Sequence, residues 1–190
     1  AAIREERCDR DEAAGLTTYK TKIRRAVARF GAPPGAAELA AITRATLDAW
    51  QRHIRLADES IAVLSAVRRS ARTVLVSNFD HAPHVRRVLA ETGLAPLFDA
   101  VVISDDVGIS KPAPEIFEIA LRLAGVAAHE AIHVGDSVRD DVEGARAAGV
   151  RPVLVDRRLK SHADWEEAGP TPAPGVRRIG SLRELVEPAT

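Results

Sequence analysis

The segment AIHVGDSVRDD, residues 131–141, decides the fold predicted for this chain. Its first five residues form a short apolar run, and residues 138–149 have the spacing of an amphipathic helix. A nearly continuous apolar run is typical of a parallel strand that is buried on both faces. Since α/β proteins bind ligands at the carboxyl ends of such strands, we expect Asp136 to lie at a functional edge of the sheet.

The same alternation of strands and helices occupies the chain from residue 60 onward. Strands are predicted at residues 73–77, 100–104, 131–135 and 151–155, with a weaker strand at 176–179. Helices are predicted at residues 83–93, 114–125 and 138–149, and a last one at 181–186. This order indicates an α/β fold with a doubly wound parallel sheet and right-handed crossovers.

The chain before this region contains no strand-like run. Apolar residues at helical spacing predict two helices, which residues 31–35 separate because proline and glycine end one helix and start the next. The apolar positions are Ile23, Val27 and Phe30, then Leu39, Ile42, Ala45 and Leu47, with a third set at Leu47, Trp50, Ile54 and Ala57. We therefore divide the chain into a helical region, residues 1–58, and an α/β region, residues 59–190.

Composition narrows the class of protein. A chain of 190 residues, 46% of them hydrophobic, can form one ordinary domain, or a domain with a small insert. Its 27 basic residues balance 27 acidic ones, so neither nucleic acid nor an anionic membrane is expected as a partner. No apolar run is long enough to span a bilayer, and the first ten residues are too charged for a signal peptide. The single cysteine, Cys8, excludes an intramolecular disulfide and favours a reducing, cytoplasmic location.

Polar side chains follow the first two predicted strands. Ser77 can present a hydroxyl and a backbone N–H to an anion, although Ser77 and Asn78 are also common residue types at turns and helix starts. Lys111 precedes Pro112, which disfavours helical geometry at the lysine and fixes it at the mouth of the sheet. The alternative is that Lys111 is solvated in a loop, as lysines usually are.

Carboxylates cluster after the third predicted strand. Asp136 follows the strand directly, and Asp140 and Asp141 come about one helical turn later. Clustered carboxylates repel one another unless a cation lies between them, and Mg²⁺ prefers such oxygen ligands. Asp140 or Asp141 could instead complement the dipole of the helix that begins there. The set as a whole predicts that serine and lysine hold a phosphate and that the acids hold the metal that neutralises it.

These segments resemble, in order and spacing, motifs two to four of the haloacid dehalogenase superfamily. The resemblance rests on the stretches VLVSNFD at 74–80, SKP at 110–112, and HVGDS at 133–137 followed by DVEGARAAG at 141–149. It implies that Ser77, with Asn78 beside it, and Lys111 contact the phosphoryl group, and that Lys111 also pairs with the nucleophile. It implies Asp136 and Asp141 as Mg²⁺ ligands, with Asp140 as a substitute.

The resemblance also assigns the helical region and the branch of the superfamily. Residues before 60 resemble the helical cap that the superfamily inserts between its first two strands, which covers the active site and selects the substrate. Members that remove halide from carbon use no metal and lack the paired acids. The acidic fourth motif therefore favours a phosphatase over a dehalogenase.

One expected motif has no counterpart in the sequence. The first motif of the superfamily is an apolar strand ending in Asp-x-Asp-x-Thr, which supplies the nucleophile and the central strand. The nearest match, Asp9-Arg10-Asp11, follows a charged, helix-like stretch and no threonine comes at the required place. We expect two apolar strand edges to be left in mid-sheet. The chain is then a fragment, which we favour, or takes the strand from another polypeptide or copy, or has closed its sheet differently.

Three other residues are weaker candidates for a functional role. His81 and His84 could suggest a metal site, but without further His or Cys nearby we expect a solvent-facing helix start. Trp50 is expected to pack against apolar residues, not to contact substrate. The sequence thus predicts an Mg²⁺-dependent phosphohydrolase for a small phosphorylated metabolite, lacking its nucleophile strand. The alternative is a non-catalytic module that binds a phosphoryl ligand or a protein partner.

Overall fold

The computed structural model describes residues 15–157 and 175–186. Two helices, α1 (Thr18–Ala28) and α2 (Ala36–Gln51), precede α3 (Ser60–Val67) and the first strand, β1 (Val74–Ser77). The chain continues through α4 (Ala82–Glu91), β2 (Ala100–Ile103), the short α5 (Ser104–Val107) and α6 (Pro114–Ala124). Next come β3 (Ile132–Gly135), a π-helical turn (Val138–Glu143) that runs into α7 (Gly144–Ala147), β4 (Arg151–Val155) and β5 (Arg177–Ile179). A 3₁₀ helix (Leu182–Leu185) follows, where the sequence predicts the last helix.

All five described strands are parallel to their neighbours and lie within one residue of the predicted bounds. β1 pairs with β2, with Val74 opposite Ala100, and β3 pairs with β4, with Ile132 opposite Arg151. β5 extends the second sheet on the far side of β4. The α/β fold with parallel strands is therefore confirmed. Apolar runs of four or five residues between helices predict it, because such runs suit parallel strands that are buried on both faces.

The strands of the described ranges form two sheets, not one. One sheet has the order β1-β2 and the other β3-β4-β5, so β1 and β3 each have one edge that no described strand pairs with. Ile132 on β3 is 48% exposed, although its apolar side chain suits a buried strand. These are the two edges that the sequence predicts to be left open.

Two apolar clusters hold the α/β region together. One lies between α6 and the first sheet and contains Val102, Ile116 and Phe117, each at most 2% exposed. The other lies on the second sheet, around Val153, Val155 and Ile179. Burial at this level contributes roughly 1.5–3 kcal/mol for each large apolar side chain. The sheets are therefore rigid supports for the loops at their carboxyl ends.

The helical region differs from the prediction at its ends. α1 stops at Ala28, and Phe30, predicted on its apolar face, is 94% exposed beyond the helix. α2 stops at Gln51, so Ile54 and Ala57 do not continue a helix. The physical reason is that Gly31 and the prolines after it stop α1 early, and a turn at residues 52–53 ends α2.

The start of α1 is bonded to the loop that follows β1 and to the short helix α5. The backbone N–H of Thr18 donates to the buried Asp105 carboxylate at 2.8 Å, and the N–H of Tyr19 donates to the carbonyl of Asp80 at 2.8 Å. The Thr17 hydroxyl bonds the His81 ring nitrogen Nδ1, also at 2.8 Å. These contacts fix the helical region beside the carboxyl end of β1.

None of the helices in the described ranges has the length and the apolar character needed to span a membrane.

Candidate active site

The loop between α5 and α6 is joined to the residue that follows β1 by a pair of hydrogen bonds. The Asn78 side chain donates to the carbonyl of Lys111 at 2.9 Å and accepts from the N–H of Lys111 at 2.8 Å. The paired bonds fix both the position and the direction of the backbone at Lys111. Asn78 thereby acts as a positioning residue for the lysine, a role that its place in the sequence did not reveal.

The Lys111 side chain points into the protein and not into solvent. Its ammonium donates to the carbonyl of Val76 at 3.2 Å and to Asp141 Oδ1 at 2.6 Å. The side chains of Lys111 and Asp141 are only 12% and 4% exposed. The ammonium therefore lies at the carboxyl end of β1, facing the start of the π-helical turn, and is not a solvated loop charge.

The Asp141 carboxylate accepts four hydrogen bonds. Oδ1 accepts from Lys111 and from His133 Nε2 at 2.8 Å, and Oδ2 accepts from the backbone N–H groups of Asp136 and Ser137 at 3.1 and 2.9 Å. Burial alone would raise the pKa of this carboxyl, but the hydrogen bonds from His133 and Lys111 outweigh it and hold the pKa well below its usual range. Asp141 is thus ionised and holds the loop after β3 in place.

A close approach at Gly135 makes this arrangement possible. A Cβ at residue 135 would lie 2.2 Å from Asp141 Cγ and 2.4 Å from its Oδ2. The π-helical turn brings Asp141 back over the end of β3, since the N–H of Val142 bonds the carbonyl of Ser137 at 3.1 Å. Only glycine at the end of β3 leaves room for the carboxylate.

We expect Gly135→Ala to lower the free energy of unfolding by about 2–3 kcal/mol, since the added methyl group must displace the bonded carboxylate. Urea denaturation measures this change. Gly31→Ala is the matched control, because a Cβ there meets nothing within 4 Å, and its effect should stay within about 0.5 kcal/mol. Equal effects of the two substitutions would contradict the steric argument.

The other predicted site residues surround this pair. Ser77 ends β1, and its hydroxyl makes no hydrogen bond within the described ranges. Asp136 is exposed directly after β3, and Asp140 is half-buried one turn later. Neither carboxylate has a hydrogen-bond or ion-pair partner among the described residues, whereas all four acceptor positions of Asp141 are used. No group of three or more metal-ligating side chains lies within the described part of the chain.

The prediction that His81 and His84 form a solvent-facing helix start is wrong. His81 is 8% exposed and His84 is 3% exposed. Burial is the main cause that lowers the pKa of both, so both rings favour the neutral form. His84 packs against the rings of Phe79 and Trp50 at centroid distances of 5.6 Å, and His81 bonds Thr17. Contacts with the distant helical region bury them, which a local pattern does not show.

Sequence reasoning also missed His133 and Asp105. His133 bonds Asp141 and packs edge-on against Phe117 at 4.9 Å. Its signal was a lone polar residue inside an otherwise apolar strand. Asp105 is fully buried and accepts from the N–H groups of Thr18 and Ala82, so it joins α1 to the core. Its signal was an acid soon after the end of β2.

The chain belongs to the haloacid dehalogenase-like hydrolases, whose family model matches residues 4–149. It is 40% identical over 158 residues to a phosphoserine phosphatase of Thermus thermophilus, covering 82% of this chain and 58% of that protein. It is also 37% identical over 99 residues to a glyceraldehyde 3-phosphate phosphatase of Methanopyrus kandleri, covering 52% and 41% of the two proteins. The chain therefore spans less than two thirds of the length of either relative.

A solved structure gives the same fold. The 2-haloacid dehalogenase of Pseudomonas syringae superposes with a TM-score of 0.66 at 24% identity, covering 89% of this chain and 68% of that one. At this identity the likeness concerns the fold alone. The family membership and the parallel α/β architecture predicted from the sequence are both confirmed.

Proposed function

We propose that this chain carries the phosphoryl-binding part of an Mg²⁺-dependent phosphatase for a small phosphorylated metabolite in the cytoplasm. The observation that carries the proposal is the inward-facing ammonium of Lys111, bonded to Val76 and Asp141 at the carboxyl end of the strands. A fixed cation at a sheltered strand end suits a phosphoryl group, whose oxygens gain negative charge during transfer. The phosphatases among the curated relatives support the same class of substrate.

Each proposed role follows from what the side chain contacts. Lys111 would neutralise a phosphoryl oxygen, and the unbonded hydroxyl of Ser77 would donate to another. Asn78 would hold Lys111 in position through its two hydrogen bonds to the Lys111 backbone. A phosphoryl group that accepts the hydrogen bond of the Lys111 ammonium in place of Asp141 would leave one acceptor position on Asp141 free.

The acids after β3 fit an Mg²⁺ ion in part. Asp136 and Asp140 have carboxylates without partners in the described ranges, and Mg²⁺ commonly binds one or two carboxylates together with water and substrate phosphate. Asp136 is the ligand we propose first, with Asp140 as an alternative. Asp141 can add an oxygen only after Lys111 or His133 releases it. A bound Mg²⁺ would supply charge neutralisation for the phosphoryl oxygens.

The nucleophile is the remaining requirement. Asp9 and Asp11 lie outside the described residues. The resemblance places an aspartate-bearing strand between the strands that we observe as β1 and β3, each of which has an edge that no described strand occupies. We propose that such a strand, from outside the described ranges or from another chain, supplies the aspartate. Without it the same site would serve as a non-catalytic module that binds a phosphoryl ligand or a partner.

We expect Asp136→Ala to abolish Mg²⁺ binding, because it removes the carboxylate that is best placed for the ion. Titration calorimetry with MgCl₂ measures binding, and hydrolysis of an aryl phosphate with Mg²⁺ measures function. Asp58→Ala, an exposed acid outside the site, is the matched control. Unchanged Mg²⁺ affinity in Asp136→Ala would remove Asp136 from the metal site.

The hydrolysis assay separates the two functions. Turnover by the unmodified chain that is lost in both Asp136→Ala and Lys111→Ala would show that a nucleophile is present. No turnover, with Mg²⁺ still bound, would support the non-catalytic module or a site that lacks its nucleophile strand. Turnover that survives removal of Mg²⁺ by a chelator would overturn the metal-dependent phosphatase in favour of metal-free chemistry.

A further inference from the structure

A cleft of about 490 Å³ opens between the helical region and the loop after β1. α1 and α2 supply one side of it, and Asn78, Phe79 and Asp80 supply the other. Asn78 is also the residue that bonds the backbone of Lys111, so the cleft begins next to the proposed phosphoryl site. Its volume falls within the usual range for sites that bind small molecules.

One wall of the cleft is a stack of rings. The Trp50 ring lies on Phe79 at a centroid distance of 5.1 Å and an interplanar angle of 24°. Phe79 in turn stacks on the buried His84 at 5.6 Å and 24°. Despite these contacts Trp50 is 49% exposed. About half of the Trp50 side chain is therefore open to solvent at the cleft, where a ligand can contact it.

The backing of this wall is fixed in place. The N–H of Phe79 donates to the Ser104 hydroxyl at 3.0 Å, and the Ser104 hydroxyl donates to the Phe79 carbonyl at 3.3 Å. Ser104 itself is 1% exposed. A ring that stacks on Trp50 would consequently meet a preformed surface and lose little affinity to reorganisation of the protein.

The described residues that line the cleft include no cation. Asp80 is the one charged residue among them, and Lys22 pairs with it at 2.5 Å. The Tyr19 hydroxyl donates to Thr46 at 2.9 Å. A ligand group in this cleft finds stacking and hydroxyl contacts but no partner for a second negative charge. The chemistry favours an uncharged planar ring over a carboxylate or a second phosphate.

We infer that the cleft binds the leaving group of the substrate and that this group carries an uncharged planar ring, as in an aryl phosphate or a nucleoside monophosphate. The inference rests on the proposed phosphatase function, because it names the group attached to the phosphoryl oxygen. Trp50 is then the specificity-determining residue. The ring stacks on the exposed part of Trp50 while the phosphoryl group reaches Lys111.

Calorimetry on the full chain tests this inference with phenyl phosphate, uridine 5′-monophosphate and glycerol 2-phosphate. The two ring-bearing esters should bind about tenfold more tightly than glycerol 2-phosphate, as expected for one aromatic stack. Trp50→Ala should remove that preference, so that all three esters bind with similar affinity. Phe30→Ala, which removes an aromatic side chain that is 94% exposed outside the cleft, is the matched control and should change nothing.

The outcomes separate the cleft from the phosphoryl site. Equal affinity for all three esters would overturn the ring inference and leave the proposed function standing. If only one ring-bearing ester shows the Trp50-dependent preference, that ester identifies the source of the ring. If no ester binds, the proposed function fails, and saturation-transfer NMR with uridine, which has no phosphate, tests the cleft alone. A Trp50-dependent signal from uridine would support the cleft, and its absence would overturn it.

Discussion

Lys111→Met is expected to lower the free energy of unfolding by about 3 kcal/mol. Removing one partner of a buried ion pair leaves the other charge uncompensated, and such changes typically cost about 3–5 kcal/mol. We expect the lower end because His133 and two backbone N–H groups still donate to Asp141. Chemical denaturation at neutral pH measures the loss.

The pH dependence identifies the cause of that loss. The lowered pKa of Asp141 contributes stability that is present above the unfolded-state value, about 3.9, and is lost as the pH falls through the folded-state value. Without Lys111 that pKa moves back upward. The difference between wild type and Lys111→Met should therefore be largest above about pH 5 and should shrink below about pH 4.

A double-mutant cycle supplies the control. Asp141→Asn and the double variant Lys111→Met/Asp141→Asn complete the cycle, and the coupling energy should account for much of the single-variant loss. Met keeps most of the apolar stem of lysine, so the comparison reports charge and not packing. A pH-independent difference, or a coupling energy near zero, would mean that the ion pair contributes little to stability.

Supplying a strand that carries an aspartate nucleophile is expected to raise hydrolysis of an aryl phosphate by roughly 10²-fold or more, the scale of a positioned catalytic group. The strand would be a five-residue apolar run ending in Asp-x-Asp-x-Thr, fused before Ala1 through a flexible linker. β1 and β3 each have an edge that no described strand pairs with, and pairing with both would satisfy the two sides of the added backbone. Its first aspartate would then lie near Lys111, at the carboxyl end of the sheet.

The matched control is the same fusion with its first aspartate replaced by asparagine. Both fusions should gain stability, because both add a strand that can pair with the edges of β1 and β3 that no described strand occupies, but only the aspartate form should gain activity. A gain in neither stability nor activity would mean that β1 and β3 do not accept a strand. Equal activity of the two fusions would show that the nucleophile lies elsewhere.

The fold follows almost entirely from local sequence. Apolar runs such as VLV and VVI, separated by helices that end in glycine, locate the strands to within a residue because parallel strands buried on both faces tolerate few polar positions. The helical region was less predictable, since Phe30 and Ile54 continue a helical pattern beyond points where the chain turns. The spacing of apolar residues does not show where a helix ends, because glycine, proline or tertiary contacts can end it within the periodic segment.

By itself the sequence determined the parallel α/β architecture and the strand ends near which Ser77, Lys111 and Asp136 lie, and it predicted the edges of β1 and β3 that no described strand pairs with. These depend on runs and spacings within a few residues. Only the tertiary structure decided that Lys111 bonds Asp141, 30 residues away, that His133 shares that carboxylate, and that Trp50 stacks on Phe79 beside the site. Spacing in the sequence predicts which side chains lie at one edge of a sheet. Which donors form hydrogen bonds to each carboxylate, and which rings stack, depends instead on neighbours that are distant in sequence and compete for the same contacts.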